Sequence, residues 1–455
     1  MDVMNICKTQ LLVMAGVTLS SISAVAQNTL PNIILVIADD CRMGDLGCYG
    51  SPDAVTPNID RIASEGLKFN RFFQATAMSS PTRHCLLTGL YPVKSGAYPN
   101  HTFIDEGVKT LPYYLKKAGY RVAMQGKRHI APLEAFPFEY LSGDYKNLNI
   151  PDLELFIADV AVKKQAFFLY LASNDPHSPW TRGNRSLFDA EKLTLPPTLV
   201  DTKETRKNYA NYLAEINQLD TDVGKIDALI KKYNLDENTV FIFTSEQGHQ
   251  FPFAKWTCYD AGLQTGFIVR WKGETDAMCE YVDVTPTLLD IAGASVPKGL
   301  DGKSFLPVIK GKKTNKEYVF GIQTTRGIAN GADYYGIRSV RNDKFSYILN
   351  LTPEVPFQNI ITRKQDPVWF SWINEAENDI FAKQQIHKYQ YRPKEELYDI
   401  INDPYQMHNL IDDVKYASEV KKLRRQLQRW MDSQGDKGQE TEMRALEHKW
   451  NPKKH

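Results

Sequence analysis

The run PNIILVIADD, residues 31–40, is aliphatic or β-branched at almost every position and then stops on two carboxylates. A strand with one wet face alternates polar and apolar residues, so a run apolar throughout must be covered on both faces. That requirement is met where helices pack on each side of a parallel sheet. The pattern returns in QAFFLYLASNDPH (165–177) and NTVFIFTSEQGH (238–249), each time ending in a polar cluster. Stretches of helical spacing lie between, as in TPNIDRIASEGLKF (56–69) and YANYLAEINQLDTDVGKIDALIKKY (209–233). The expected fold is therefore α/β, a mostly parallel sheet sandwiched by helices.

The texture changes after GLDGKSFLPVIKGKK (299–313), where Lys and Gly break the alternation. We read residues 27–310 as the larger α/β domain and 311–455 as a smaller α+β domain. The smaller one has strand signals in YYGIRSVRNDKFSYILNL (334–351) and a closing helix in YASEVKKLRRQLQRWMDSQ (416–434). The polar tail KGQETEMRALEHKWNPKKH (437–455) is expected to be poorly ordered or draped on the surface.

Residues 1–26 combine Lys8, an apolar stretch and the small-residue signal Ala24-Val25-Ala26, which reads as a secretory signal peptide cleaved after Ala26. The expected location is outside the cytoplasm, periplasmic in a bacterium, and no later stretch is apolar enough for a membrane span. Past the leader lie Cys41, Cys48, Cys85, Cys258 and Cys279, an odd number with no CxxC or zinc spacing, so cysteine chemistry is a weak basis for function. With 55 basic against 54 acidic residues, the chain lacks the basic surface that nucleic-acid binding needs. An anion would have to be recognised locally.

In open parallel sheets ligands bind beyond the carboxyl ends of the strands, where Asp39-Asp40, Asn174 to His177 and Glu246-Gln247 all fall. Adjacent carboxylates repel unless a cation lies between them, although a bare Asp-Asp pair is equally an exposed acidic turn. A shell pooled from Asp39, Asp40, Glu246 and Gln247 would be all oxygen, which favours Ca2+ first and Mg2+ second, where zinc would call for His or Cys. His129 and His177 lie beside strand ends and are candidate proton carriers. Lys127, two positions before His129 on an extended chain, would share its side and could hold an anion. In SSPTRHCLLTG (79–89) a serine stands just ahead of a helix with Pro81 in its first turn, and Arg83 adds to the positive helix end. The same SSP is also an ordinary N-cap signal.

SSPTRHCLLTG resembles the sulfatase signature, in which a Cys or Ser, any residue, Pro, a small residue and Arg precede Leu-Thr-Gly. ADD, GKRH, NDPH, TSEQG, LDGKSFLP and ELYDIINDPYQMHNL match further landmarks of that family in order. The resemblance implies an alkaline-phosphatase-like fold and a formylglycine made from Ser79 by a serine-type maturing enzyme. It also implies a metal held by Asp39, Asp40, Ser79, Glu246 and Gln247, with Arg83 and Lys127 as stabilisers of the nucleophile. His129 then matches the residue that helps break down the sulfated intermediate, His177 the proton donor to the leaving group, and Lys255 a cation on the sulfate.

FPFEY (136–140), QFPFAKW (250–256) and IRSVRNDKFSYILNLTPEVPF (337–357) are most similar to the heparan N-sulfatases, which implies N-sulfated glucosamine as substrate. Asp175 then matches a position near the substrate amine, and Tyr98 and His101 lie in a loop expected to face the sugar. Tyr98, Trp180 and Trp256 are expected to form an aromatic rim. Ser at 79 in place of Cys, Thr82 in place of Ser, Glu246-Gln247 in place of Asp-Asn or Asp-His, and Lys255 in place of Arg depart from the family pattern. The alternatives are an O-sulfatase acting on hexosamine or galactose sulfate, a phosphatase or phosphodiesterase of the same superfamily, and an idle glycan-binding protein.

Overall fold

The computed structural model describes residues 30–142, 146–270, 273–363 and 365–451; the expected signal peptide lies outside them. The chain enters through strand β1 (Asn32–Ala38), then β2 (Leu67–Phe73), β3 (Arg121–Gly126), β4 (Glu139–Tyr140), β5 (Phe167–Ala172), β6 (Thr239–Ser245), β7 (Gln264–Val269), β8 (Gly273–Thr275) and β9 (Cys279–Glu280). These form one sheet in the order β4-β3-β5-β1-β6-β7-β2-β8, with β9 beside β2. From β4 to β6 every neighbour is parallel; β7 alone runs against both β6 and β2.

Every residue of β1 is buried, as its unbroken apolar run requires. Successive side chains point to opposite faces, so Ile34 and Val36 enter one core while Ile33, Leu35 and Ile37 enter the other. β5 divides likewise, Leu169 and Leu171 to the first face, Phe168 and Tyr170 to the second. The helix Lys203–Lys232 covers the first face with Tyr209, Leu213, Ile216, Leu219, Val223 and Ile230. Leu86 and Leu87 of the helix Ser79–Thr88, with Leu111, Leu115 and Leu288 of two further helices, cover the second. Burying each such side chain contributes about 1.5–3 kcal/mol, which makes the central strands the rigid part of the molecule.

A second sheet is antiparallel throughout, in the order β10 (Val319–Thr324), β11 (Gly336–Arg341), β12 (Phe345–Asn350) and β13 (Glu395–Asp399). The helix Ala417–Gln434 lays Val420, Leu423, Leu427 and Trp430 on it, and Trp430 stacks on Phe320 at 5.1 Å. Ile322 of β10 donates to the Ala75 carbonyl at 2.7 Å, tying this sheet to the segment before Ser79. The polar tail differs from the expectation. Residues Gln439–Met443 form a helix, Glu442 is buried and accepts from Thr325 N at 3.0 Å, and Lys449 forms a bridge with Thr102. A buried carboxylate with a buried cation nearby anchors what composition alone marks as loose.

Candidate active site

β5, β1 and β6 are neighbours, so their carboxyl ends open side by side. The ladder continues one step past the strands: Asp39 N donates to Asp175 O at 3.1 Å, Glu246 N to Ala38 O at 3.0 Å and Cys41 N to Glu246 O at 3.2 Å. Backbone bonding thus brings Asp39, Asp175 and Glu246 together although they are far apart in sequence. Immediately beyond, the chain turns through left-handed conformations at Asp40 (φ 62) and Gln247 (φ 33). His101, His129 and Trp256 are left-handed too, so half of the ten positive-φ residues other than glycine, among those described, lie at this edge. Strain of this kind costs about 1–3 kcal/mol per residue and persists where surrounding contacts over-determine it.

Ser79 is the first residue of its helix, whose N-cap is Met78, rather than standing ahead of it. Its hydroxyl does not cap. It donates to Asp39 Oδ1 at 2.9 Å and accepts from Gln247 Nε2 at 2.7 Å, while Ser80 Oγ accepts from Thr102 N at 3.2 Å. The ordinary capping reading of SSP is therefore set aside. Lys127 Nζ pairs with Asp39 Oδ2, Lys255 Nζ with Asp40 Oδ2 at 2.5 Å, and Gln247 Nε2 donates to Asp40 Oδ1 at 2.8 Å. Arg83, fully buried, places Nε 2.8 Å from Glu246 Oε2 and donates from Nη1 to the Lys127 carbonyl at 2.8 Å. His177 Nε2 lies 3.6 Å from Asp40 Oδ2.

Burial raises the Asp39 pKa, but Lys127, His177, Arg83 and Lys255 together outweigh it and hold the carboxyl well below the usual range. Glu246 moves the other way. Burial pushes it well above its usual range, with Arg83 the main opposing charge. Burial also lowers His177, helped by Lys255, and holds His129 well below its usual value, helped by Lys127 and His101.

The donor set fits a hard cation. Asp39, Asp40 and His177 offer atoms all within 4.8 Å of one another. Glu246 Oε1 and Gln247 Oε1 are buried without a hydrogen-bond partner, acceptors that a cation would engage. A cation there would reverse the raised pKa of Glu246.

Ser79, Lys127, His177 and Lys255 line a cavity of about 700 Å³ whose walls include His101, Arg128, His129, Asp175, Arg182 and Trp256. A model of the sulfatase family matches residues 31–294. The chain belongs to the sulfatase family. A model of the N-sulphoglucosamine sulphohydrolase C-terminal region matches residues 248–388. This sulfatase is 32% identical to an ulvan-active sulfatase of Formosa agariphila over 426 residues, covering 89% of this chain and 81% of the relative. It is 26% identical to human N-sulphoglucosamine sulphohydrolase over 453 residues, covering 88% of this chain and 89% of that one. A structure solved with its substrate D-glucosamine-2-N,6-O-disulfate shares the fold at TM-score 0.68 and 20% identity, over 90% of this chain and 99% of that one. As a sulfatase, the protein is a hydrolase of sulfate esters or sulfamates.

Within the sulfatase the pocket gathers Ser79, Lys127, His129, His177, Lys255, Asp175 and His101, with Asp39, Asp40, Arg83, Glu246 and Gln247 packed around Ser79. Tyr98 is not among them. It is 3% exposed, and its hydroxyl donates to Thr441 O at 3.1 Å, because the ring turns back into the core against His448. Trp180 also faces inward, stacked on Phe251 at 4.9 Å, so of the expected rim only Trp256 lines the cavity, with Lys255 Nζ 4.6 Å from its ring centre. The Lys127 to His129 segment is not extended, since His129 has φ 45, so the two side chains part: Lys127 to Asp39, His129 to His101.

Sequence reasoning missed Glu215, Arg182 and Arg128. Glu215 is 2% exposed in the long helix and accepts from Thr181 N at 2.6 Å and Arg182 N at 2.9 Å; burial raises it to about 7. Arg182 in turn pairs with Asp175 at 2.5 Å, whose carboxyl burial raises to about 6 against that cation. The signal was a carboxylate on the apolar face of YLAEINQL (212–219), where a solvated Glu does not belong.

Proposed function

We propose that the protein removes sulfate from a sulfated sugar, with N-sulfated glucosamine of heparin or heparan fragments as the preferred substrate. The observation that carries the N-sulfate preference is the buried Asp175 carboxylate on the pocket wall, two residues from His177 and held by Arg182. A carboxylate there favours a leaving amine, which becomes cationic on protonation, over a leaving alcohol, which stays neutral. The match of residues 248–388 to the N-sulphoglucosamine sulphohydrolase C-terminal region supports the same choice.

In this reading Ser79 is oxidised by a serine-type maturing enzyme to formylglycine. That group supplies a hydrated aldehyde with a second hydroxyl, where a plain serine sulfate would be a dead end. Asp39, Asp40, Glu246 and Gln247 would hold Ca2+, with Mg2+ second, which would supply positive charge beside the sulfuryl oxygens. Lys127 and Arg83 both reach Asp39, and Lys255 reaches the adjacent Asp40, so the three cations lie around Ser79 and stabilise negative charge on the nucleophile and the sulfuryl group. His177 gives its proton to the departing nitrogen or oxygen, and His129 removes the proton whose loss lets sulfate leave. We also propose export to the periplasm after cleavage at Ala26. Among the described residues all five cysteines are free thiols, so the fold needs no oxidant there.

An O-sulfatase is the second reading, favoured by the 32% identity to the ulvan-active sulfatase. Matured enzyme is to be assayed on N-sulfated and 6-O-sulfated glucosamine, with amine and sulfate quantified. Amine and sulfate in equal amounts from the first alone support the proposal; sulfate from the second alone selects the O-sulfatase. A peptide carrying residue 79 two hydrogens lighter than encoded is expected from the native host. An unmodified serine with no turnover selects the idle glycan-binding protein, and two bound zinc ions with phosphate release select the phosphatase.

A further inference from the structure

Residues 448–450 of the C-terminal segment pack against the loop that carries His101 and Thr102. Trp450 N donates to the His101 carbonyl at 2.7 Å, Lys449 bridges Thr102, and Thr102 Oγ1 donates to His448 O at 2.8 Å. Thr102 N reaches Ser80 Oγ at 3.2 Å, so one residue joins the tail, the loop and the helix that starts at Ser79. The tail is itself anchored: Glu442 accepts from Thr325 N at 3.0 Å, Asp436 pairs with buried Arg338 at 2.5 Å, and Lys449 Nζ donates to Gly327 O at 3.2 Å.

The result at the site is specific. His101 is left-handed at φ 55, a conformation a side-chain-bearing residue keeps only where its neighbours hold it, and the tail supplies those neighbours. Held so, its Nδ1 lies 2.9 Å from His129 Nε2, with ring centres 4.8 Å apart. His129 Nδ1, on the other side of the ring, is buried and has no partner. A hydrogen bond at one imidazole nitrogen selects the tautomer and decides what the other nitrogen can do.

We propose that residues 436–451 are a strap that positions His101, and that His101 positions His129, holding its ring in one orientation and one tautomer through the 2.9 Å contact between His101 Nδ1 and His129 Nε2. His101 is thus a positioning residue for a base, and the C-terminal segment is part of the active site. The base role of His129 rests on the function proposed above; the strap and the tautomer do not.

The test uses the full chain, a chain shortened after Leu446, Thr102→Val and His101→Ala, each labelled with ¹⁵N-histidine. His129 is assigned by the signal lost in His129→Gln. The full chain is expected to show a single His129 tautomer. The shortened chain and Thr102→Val are expected to show the averaged shifts of two tautomers at an unchanged thermal midpoint. An unaltered His129 spectrum in both variants overturns the strap, whether or not the enzyme turns over.

On N-sulfated glucosamine, kcat is expected to fall about 10- to 100-fold with KM within about threefold of the full chain for the shortened chain and for His101→Ala alike. Combining the two is expected to cost no more than either, because they remove one interaction. Multiplying losses, or a full kcat in the shortened chain, overturn the proposal. If the shortened chain does not fold, the cycle of Thr102→Val with His101→Ala decides, and Thr102→Ser is expected to restore both tautomer and kcat. A correct tautomer pattern with no desulfation in the full chain would leave the strap standing and sink N-sulfated glucosamine as its substrate.

Discussion

His84 shows how one buried residue sets a pH limit. Its Nε2 accepts from Ala131 N at 3.1 Å, so the proton sits on Nδ1, which donates to Ser80 O at 2.7 Å. Burial lowers its pKa to about 4. The unfolded chain takes up this proton near pH 6.5, while the folded chain refuses it until about 4. Stability from this group is therefore full above about pH 6.5 and lost as pH falls toward 4, about 3 kcal/mol in all. Urea unfolding at several pH values is expected to give a shallower acid limb for His84→Gln than for the wild type.

Gly126 is a second case at this scale. It has φ 88, and a Cβ there would lie 2.1 Å from the Ala172 carbonyl oxygen, the same oxygen that accepts from Lys127 N at 2.7 Å. Gly126→Ala is expected to push β3 from β5, cost about 2 kcal/mol or more by denaturant titration, and pull Lys127 from Asp39, lowering kcat. The sequence shows GKRH as a motif, and only the approach of another strand shows why its first residue has no side chain.

Among the elements, β1, β5 and β6 were legible because a strand buried on both faces has no polar positions to blur it. The β11–β12 hairpin and the helix Ala417–Gln434 were legible from alternation and from a narrow apolar stripe. The tail was not. Its anchors, Asp436 and Glu442, are charged residues, which composition assigns to solvent. Both are buried against Arg338, with Nε 2.5 Å from Asp436 Oδ2 and Nη1 3.8 Å from Glu442 Oε2. Removing one partner of a buried pair strands the other charge, so Arg338→Met is expected to destabilise by about 3–5 kcal/mol. Asp436→Leu in the same chain is expected to recover part of that loss in a chemical denaturation series.

Across the whole molecule, the two sheets are joined by a buried ionic cluster. Lys316, just before β10, places Nζ 2.6 Å from Glu280 of β9 and 2.9 Å from Asp283, and Tyr91 donates to Glu280 at 2.6 Å. Lys316→Met is expected to cost about 3–5 kcal/mol, because both carboxylates remain buried. Hydrogen exchange is expected to quicken in β10 more than in β1, since β10 depends on that junction and β1 is held by strands on both sides.

By itself the sequence determined the sheet and the residues around Ser79. Apolar runs ending in polar clusters are a local signal, and the ends of neighbouring parallel strands are bound to meet. Only the tertiary structure decided that Tyr98 and Trp180 turn inward, that Glu215 holds the Arg182 loop, and that the tail reaches His101. Those outcomes depend on which distant segment supplies each polar group's partner, and no local pattern along the chain encodes that pairing.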